Sequence, residues 1–278
     1  MAITTRDKLI DALGNNSSRF IIDKASIANA VAGGYFSLWR ATGQPGQGAI
    51  PTTTASCNHT TIGSMGFAQQ VSPATSYGGW ANAVCSNSTV TLEVHDRLRH
   101  MGGLNATLTT AQTVALTLNG ITSDNMEQRI GDANFSDVQW WAEWYTDTGA
   151  TASNATVTVT YNDGTTGTLN PFAAGGTVRA GRMIPLNQLI PAAASGKYIR
   201  SIDSVQLSAS TATAGNFGFT CTRPRLTMPL LLANKMEIFD WAQLGFPEIF
   251  NSSCLTVIEL CSTTSTGTVR GGGKIIHG

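Results

Sequence analysis

Charged side chains are scarce in this sequence: Lys, Arg, Asp and Glu make up 12% of 278 residues, about half the share usual in a soluble domain. Seventeen basic residues cancel seventeen acidic ones, and no run of Lys or Arg exceeds two. The electrostatic footprint of a nucleic-acid binder is therefore missing, and no nucleic-acid partner is expected. Long hydrophobic runs are absent too. No window approaches the roughly 18 apolar residues of a membrane-spanning helix, so no membrane partner is expected. Residues 1–14 carry Arg6, Asp7, Lys8 and Asp11 and lack the apolar core of a secretory signal, which points to synthesis and assembly in the cytoplasm. Cysteine is sparse and odd in number, five in all. In a chain too large to need staples, widely spaced cysteines are expected as free thiols.

Catalytic motifs are missing as well. There is no G-x-S-x-G elbow, no P-loop, and no G-x-G-x-x-G following a strand. Gly271-Gly272-Gly273-Lys274 falls in the last strand region, without the helix that would present N–H groups to a phosphate.

What fills the space is Thr, Ser and Gly, at 37, 22 and 29 residues. That mixture favours extended strands and tight turns. A surface with so little charge provides little repulsion between copies, so much of it is expected to be covered by neighbours.

Two short helices are predicted at the start. Thr4-Thr5-Arg6-Asp7 resembles a capping box, Leu9, Ile10 and Leu13 form an apolar stripe, and Gly14 supplies a stop. A second helical segment is predicted over residues 23–32. Both are too short to stand alone, and must pack either on the main body or on a neighbouring subunit. From Tyr35 to about Ser88 the chain reads as a long ordered loop rich in Gly, Pro and Thr, with turns such as Ser72-Pro73-Ala74-Thr75 and with Phe36, Trp39 and Trp80 in or beside it. Leu9, Ile10, Leu13, Phe36 and Trp39 are the contact residues this pattern suggests.

Beyond Ser88, strands come at regular spacing. Val90, Leu92 and Val94 alternate with Thr91 and Glu93. Val157, Val159 and Tyr161 alternate with Thr residues before the hairpin turn Asn162-Asp163-Gly164. Further strands are predicted near residues 114–118, 138–146, 178–184, 198–208, 217–228, 255–261 and 268–276, and one short helix near 235–244. The expected fold is mainly β: an antiparallel two-sheet sandwich, jelly-roll-like, spanning residues 89–278, with residues 1–88 as an amino-terminal extension.

Three clusters invite chemistry. Cys57, His59 and Cys85 could ligate zinc, but the spacing matches no finger or ribbon, and no metal or cofactor is expected. His95-Asp96-Arg97-Leu98-Arg99-His100 could relay a proton, yet alternation puts His95 and Arg97 on one face and Asp96 on the other. A strand end with charges in water, or paired with a neighbour, is the expectation. Glu143, Asp137, Asp147 and Asp163 could pair for glycoside hydrolysis only by accident of folding. The chain is expected not to be an enzyme. The aromatic run Trp140-Trp141-Ala142-Glu143-Trp144-Tyr145 puts Trp140 and Trp144 on one face of a strand and Trp141 and Tyr145 on the other. It serves either as a sugar-stacking platform or as a strand covered on both faces, with the second favoured.

Four phrases carry a resemblance. Asp96-Arg97-Leu98-Arg99-His100-Met101-Gly102-Gly103-Leu104, Glu143-Trp144-Tyr145-Thr146-Asp147-Thr148-Gly149-Ala150-Thr151, Ala214-Gly215-Asn216-Phe217-Gly218 and Ser262-Thr263-Thr264-Ser265-Thr266-Gly267-Thr268 resemble structural proteins from the particles of tailed bacteriophages. That resemblance implies a virion component, such as a capsid decoration or cement protein bracing neighbouring capsid subunits. Its partners would be the major capsid protein or other virion proteins, and it would form homo-oligomers. A tail or fibre component binding a host-surface glycan is the alternative.

Overall fold

The computed structural model describes residues 3–71 and 74–278; the amino-terminal Met and the Ser72-Pro73 part of the expected turn lie outside the described residues. Helix α1 (Arg6–Gly14) opens the chain, with Thr5 as N-cap accepting from the Lys8 N–H. The first strands are β1 (Ser17–Lys24), β2 (Tyr35–Ser37), β3 (Gly43–Gln44), β4 (Ala55–Ser56), β5 (Ser76–Cys85), β6 (Val90–Leu104) and β7 (Gln112–Thr117), followed by the single-turn helix α2 (Met126–Arg129). Next come β8 (Gln139–Thr146), β9 (Asn154–Tyr161), β10 (Thr166–Thr168), β11 (Phe172–Ala173), β12 (Arg182–Pro185) and β13 (Ile199–Leu207). The chain ends with β14 (Asn216–Leu230), β15 (Glu237–Asp240), β16 (Glu248–Ile249), β17 (Leu255–Leu260) and β18 (Val269–His277). The fold is mainly β with antiparallel pairing, as the composition predicts.

The chain divides into two compact units: Met1–Gly48, Asn58–Asp96 and Pro224–Gly278 form the first, and Ala49–Cys57 with Arg97–Arg223 the second. The boundary expected at Ser88 falls inside the first unit, and residues 1–88 supply β1 and β5 to its sheet.

In the first unit one layer is a six-stranded sheet, ordered β15-β5-β18-β1-β3, with β16 also on β5. The other layer pairs β17 with β2 and with residues 91–96 of β6. Phe20, Ile22, Ala81, Ala83 and Val269 meet Leu92, Val94, Leu255 and Val257 in the core between them. The helix predicted over residues 23–32 is not formed. Asp23 and Lys24 pair with Arg270 and Val269 on one side and with Gln44 and Gly43 on the other, and Ala28 bridges to Ser265. A short helix gains too little from its own hydrogen bonds to compete with two strand partners. Residues 235–244 depart from the predicted helix in the same way. They form edge strand β15, then a turn in which Asp240 Oδ1 accepts from the Ala242 and Gln243 N–H groups.

The second unit repeats the two-layer scheme. One sheet is β10-β9-β13-β7, with β11 also on β9; the other pairs β8 with β14 and β12. Val157, Val159, Ile202 and Leu116 face Trp140, Trp144, Phe217 and Phe219 across the core. In β9 the alternation is clean, with Ala155, Val157, Val159 and Tyr161 buried between Thr residues. The hairpin signal after it holds: Gly164 takes φ +84°, and β10 returns along β9.

Candidate interaction surface and the buried charges

The titratable cluster on β6 is buried inside the chain, contrary to the expectation of a solvated strand end. In the second unit the Arg97 guanidinium grips Glu143 with two bonds, Nη2 to Oε2 at 2.7 Å and Nη1 to Oε1 at 3.2 Å. Its Nε donates to His100 Nδ1, and Nη2 also donates to the Tyr145 and Thr220 hydroxyls. Thr220 and Tyr145 in turn donate to Glu143 Oε2. Burial, then the Glu143 carboxylate, pushes the Tyr145 phenol well above its ordinary pKa. Arg129 of α2, also wholly buried, caps the carbonyls of Cys57 and Arg97. Its role had no sequence signal, because a lone Arg in a polar stretch looks like surface.

In the first unit His95 meets Glu93 at 2.8 Å. Asp96 accepts from the Ser253 hydroxyl and the Cys254 N–H, with Arg225 at 3.9 Å. The other candidate carboxylates of the second unit are each held by a cation: Asp137 by Arg223, Asp147 by Arg179, and Asp163 by Lys197. Among the described residues no group of three His, Cys, Asp or Glu could hold a metal. All five cysteines are free and buried.

The aromatic strand is covered on both faces. Trp140, Trp141, Trp144 and Tyr145 are each at most 2% exposed. Trp140 Nε1 donates to the Ile199 carbonyl and Trp141 Nε1 to the Thr222 hydroxyl, while Trp144 stacks on Phe217 at 5.9 Å. These rings cannot reach a sugar from outside. Phe36 and Trp39 are also buried, which corrects their assignment as contact residues. The Trp39 indole lies so close to Gly48 and Gly63 that a Cβ on Gly48 would fall 1.9 Å from Trp39 Cε2. The loop aromatics thus order the loop from within. On α1, Ile10 is exposed, and Leu9 and Leu13 are half-buried.

A hollow of about 430 Å³ in the second unit, lined by Ser136, Asn187, Lys197 and Tyr198 among others, offers little to a ligand. The Asn187 amide already serves the backbone at Trp140 and Val138, and Lys197 is paired with Asp163.

The unsatisfied surface is elsewhere. Between Leu231 and Trp241 five large apolar side chains are exposed: Leu231, Leu232, Met236, Ile238 and Trp241. Ile238 lies on edge strand β15, and register carries it across the sheet. Ile238 opposes Asn82, Asn82 opposes Gly272, and Gly272 opposes Ile21, which is 63% exposed. Directly opposed residues share a face. The next row runs Asp240, Trp80, Lys274, Arg19, and the row on the other side has Val84, Arg270 and Asp23. Residues more than 200 positions apart in the chain thus form one outer face, with Ile238 and Ile21 at the two ends of its middle row and Asn82 and Gly272 between them, and with the next row acidic at its β15 end and basic at its β1 end. The sequence alone could not bring Ile21 and Ile238 together.

Compared with protein-family models and with curated protein sequences, the chain matches none. Among solved structures it aligns with chains from T=1 particles derived from infectious bursal disease virus. One such alignment covers 94% of this chain and 76% of the other at 10% identity and a TM-score of 0.18. Another, to a mutant VP2 protein, has 11% identity and a TM-score of 0.17 over the same shares. At these scores the likeness carries no weight for fold or function. No described helix is long and apolar enough to cross a membrane.

Proposed function

We propose that this chain is a non-enzymatic structural protein of a virus particle, a capsid decoration or cement protein bracing neighbouring capsid subunits. The observation that carries this reading is the exposure of large apolar side chains, Ile21 and Ile238 on the outer face of the six-stranded sheet and Leu231, Leu232, Met236 and Trp241 in the segment around its edge strand. A patch of this kind on a weakly charged protein marks a site for another protein. The phrases resembling tailed-bacteriophage virion proteins support the choice of particle. Its partners would be the major capsid protein or other virion proteins together with further copies of itself, and assembly would take place in the host cytoplasm. Burial of Trp140, Trp141 and Trp144 removes the motive for the tail or fibre alternative that binds a host glycan.

Quantitative mass spectrometry of purified particles tests this. Many tens to hundreds of copies per particle are expected; a handful, or none, would reject the decoration role.

A further inference from the structure

We propose that the outer face of the six-stranded sheet docks on the same face of a second copy of this chain, across a two-fold axis parallel to the strands. The inference rests on the reading that this protein works by fitting against protein surfaces, and it names the surface and the partner.

The four strands β15, β5, β18 and β1 lie side by side, with β5 and β18 in the middle. A two-fold axis running between those two, along the strands, lays β15 of one copy over β1 of the other at the same height. Ile238 then meets the other copy's Ile21, the pair that leaves most apolar surface in solvent on this face. One row along, Asp240 meets the other copy's Arg19, an ion pair, while Lys274 in the same row stays bonded to the Leu13 carbonyl of its own α1. Because the axis is two-fold, every contact occurs twice.

The competing arrangement, with the axis across the strands, is poorer. It pairs Arg19 with Asp23 of the other copy, but it also lays Arg270 over Lys274, placing like charges together on both sides, and it lays Ile21 on its own counterpart. The centre of the strand is flat enough for close approach. Gly272 in the middle row has no side chain, and a Cβ there would lie 2.5 Å from the Phe20 carbonyl oxygen, so no other residue fits. Four strands about 4.8 Å apart and three rows give only roughly 300 Å² per copy. A stable dimer takes about 800 Å² per partner, so the flanking Leu231, Leu232, Met236 and Trp241 must join the contact.

The test uses the full chain, and exploits the burial of all five native cysteines. Ile21 and Ile238 are separated by two intervening strands, roughly 14 Å, too far for a disulfide within one copy. Under mild oxidation the Ile21→Cys, Ile238→Cys double variant is expected to form a covalent dimer, and each single variant to stay uncrosslinked. In sedimentation of otherwise native chains, Asp240→Arg or Arg19→Asp is expected to weaken dimerisation at least about tenfold. The combined charge swap is expected to restore it. Circular dichroism of each variant separates lost pairing from lost folding. A wild-type chain that sediments as a monomer at all concentrations would overturn the proposal. So would cross-linking by Ile21→Cys alone, or a dimer indifferent to both charge reversals. Copy number in purified particles is measured independently, so this contact can fail while the structural role stands.

Discussion

Glu259 lies on β17 opposite Phe36 on one side and Leu92 on the other, and neither carboxylate oxygen finds an N–H or O–H donor. Burial pushes its pKa from 4.5 up to about 8, with the weak thiol donor of Cys261 offsetting only part. The folded chain therefore keeps a proton that the unfolded chain releases above pH 4.5, and stability falls as pH rises until about pH 8, where the folded state ionises too. The loss over that window is on the order of 3–5 kcal/mol. Denaturant unfolding across pH 4 to 9 is expected to show this decline, and Glu259→Gln to flatten it. The Arg97–Glu143 pair makes a different demand, since each charge is tolerable in the core only with the other. Arg97→Met alone is expected to cost about 3–5 kcal/mol, while Arg97→Met with Glu143→Leu recovers most of it, measured as a double-mutant cycle. Burial raises the thiols of Cys85 to about 11 and Cys221 to about 12. A thiol reagent is accordingly expected to label none of the five cysteines in the native chain and all five after denaturation.

At the scale of elements, truncation separates α1 from β1. From the sequence the segment through Gly34 belongs to an extension outside the sandwich, but it contains β1, which lies between β18 and β3 and inserts Phe20 and Ile22 into the first unit's core. Deleting residues 1–14 is expected to leave a folded protein, whereas deleting residues 1–34 is expected to open the first unit to limited proteolysis. Strands with strong alternation were legible in the sequence: β8, β9, β13, β14, β17 and β18 fall close to where the pattern puts them. Strand β5 was not, because its inward positions include Gly78, Ala81 and Ala83. Small residues carry almost no hydrophobic signal, yet here they make room for the opposing layer. The two buried faces of β8 were legible too, since alternate Trp residues require cover on both sides. That the charged end of β6 would turn inward was not, because nothing local announces that Glu143 waits to receive Arg97.

For the molecule as a whole, two sandwiches with separate cores come from one chain that visits the second unit briefly over Ala49–Cys57, enters it again within β6 and returns within β14. Charge is used sparingly in both, and several of the charged groups are spent in the interior. Six of the twelve large apolar side chains exposed among the described residues, Ile21, Leu231, Leu232, Met236, Ile238 and Trp241, lie on one sheet or in the segment around its edge strand. The account stands on the claim that this face is covered by protein when the chain is at work. Oxidative footprinting of Trp80, Met236 and Trp241, comparing purified particles with dissociated chain, tests that claim directly. Strong protection of all three in the particle is the expected result; equal oxidation in both states would contradict it.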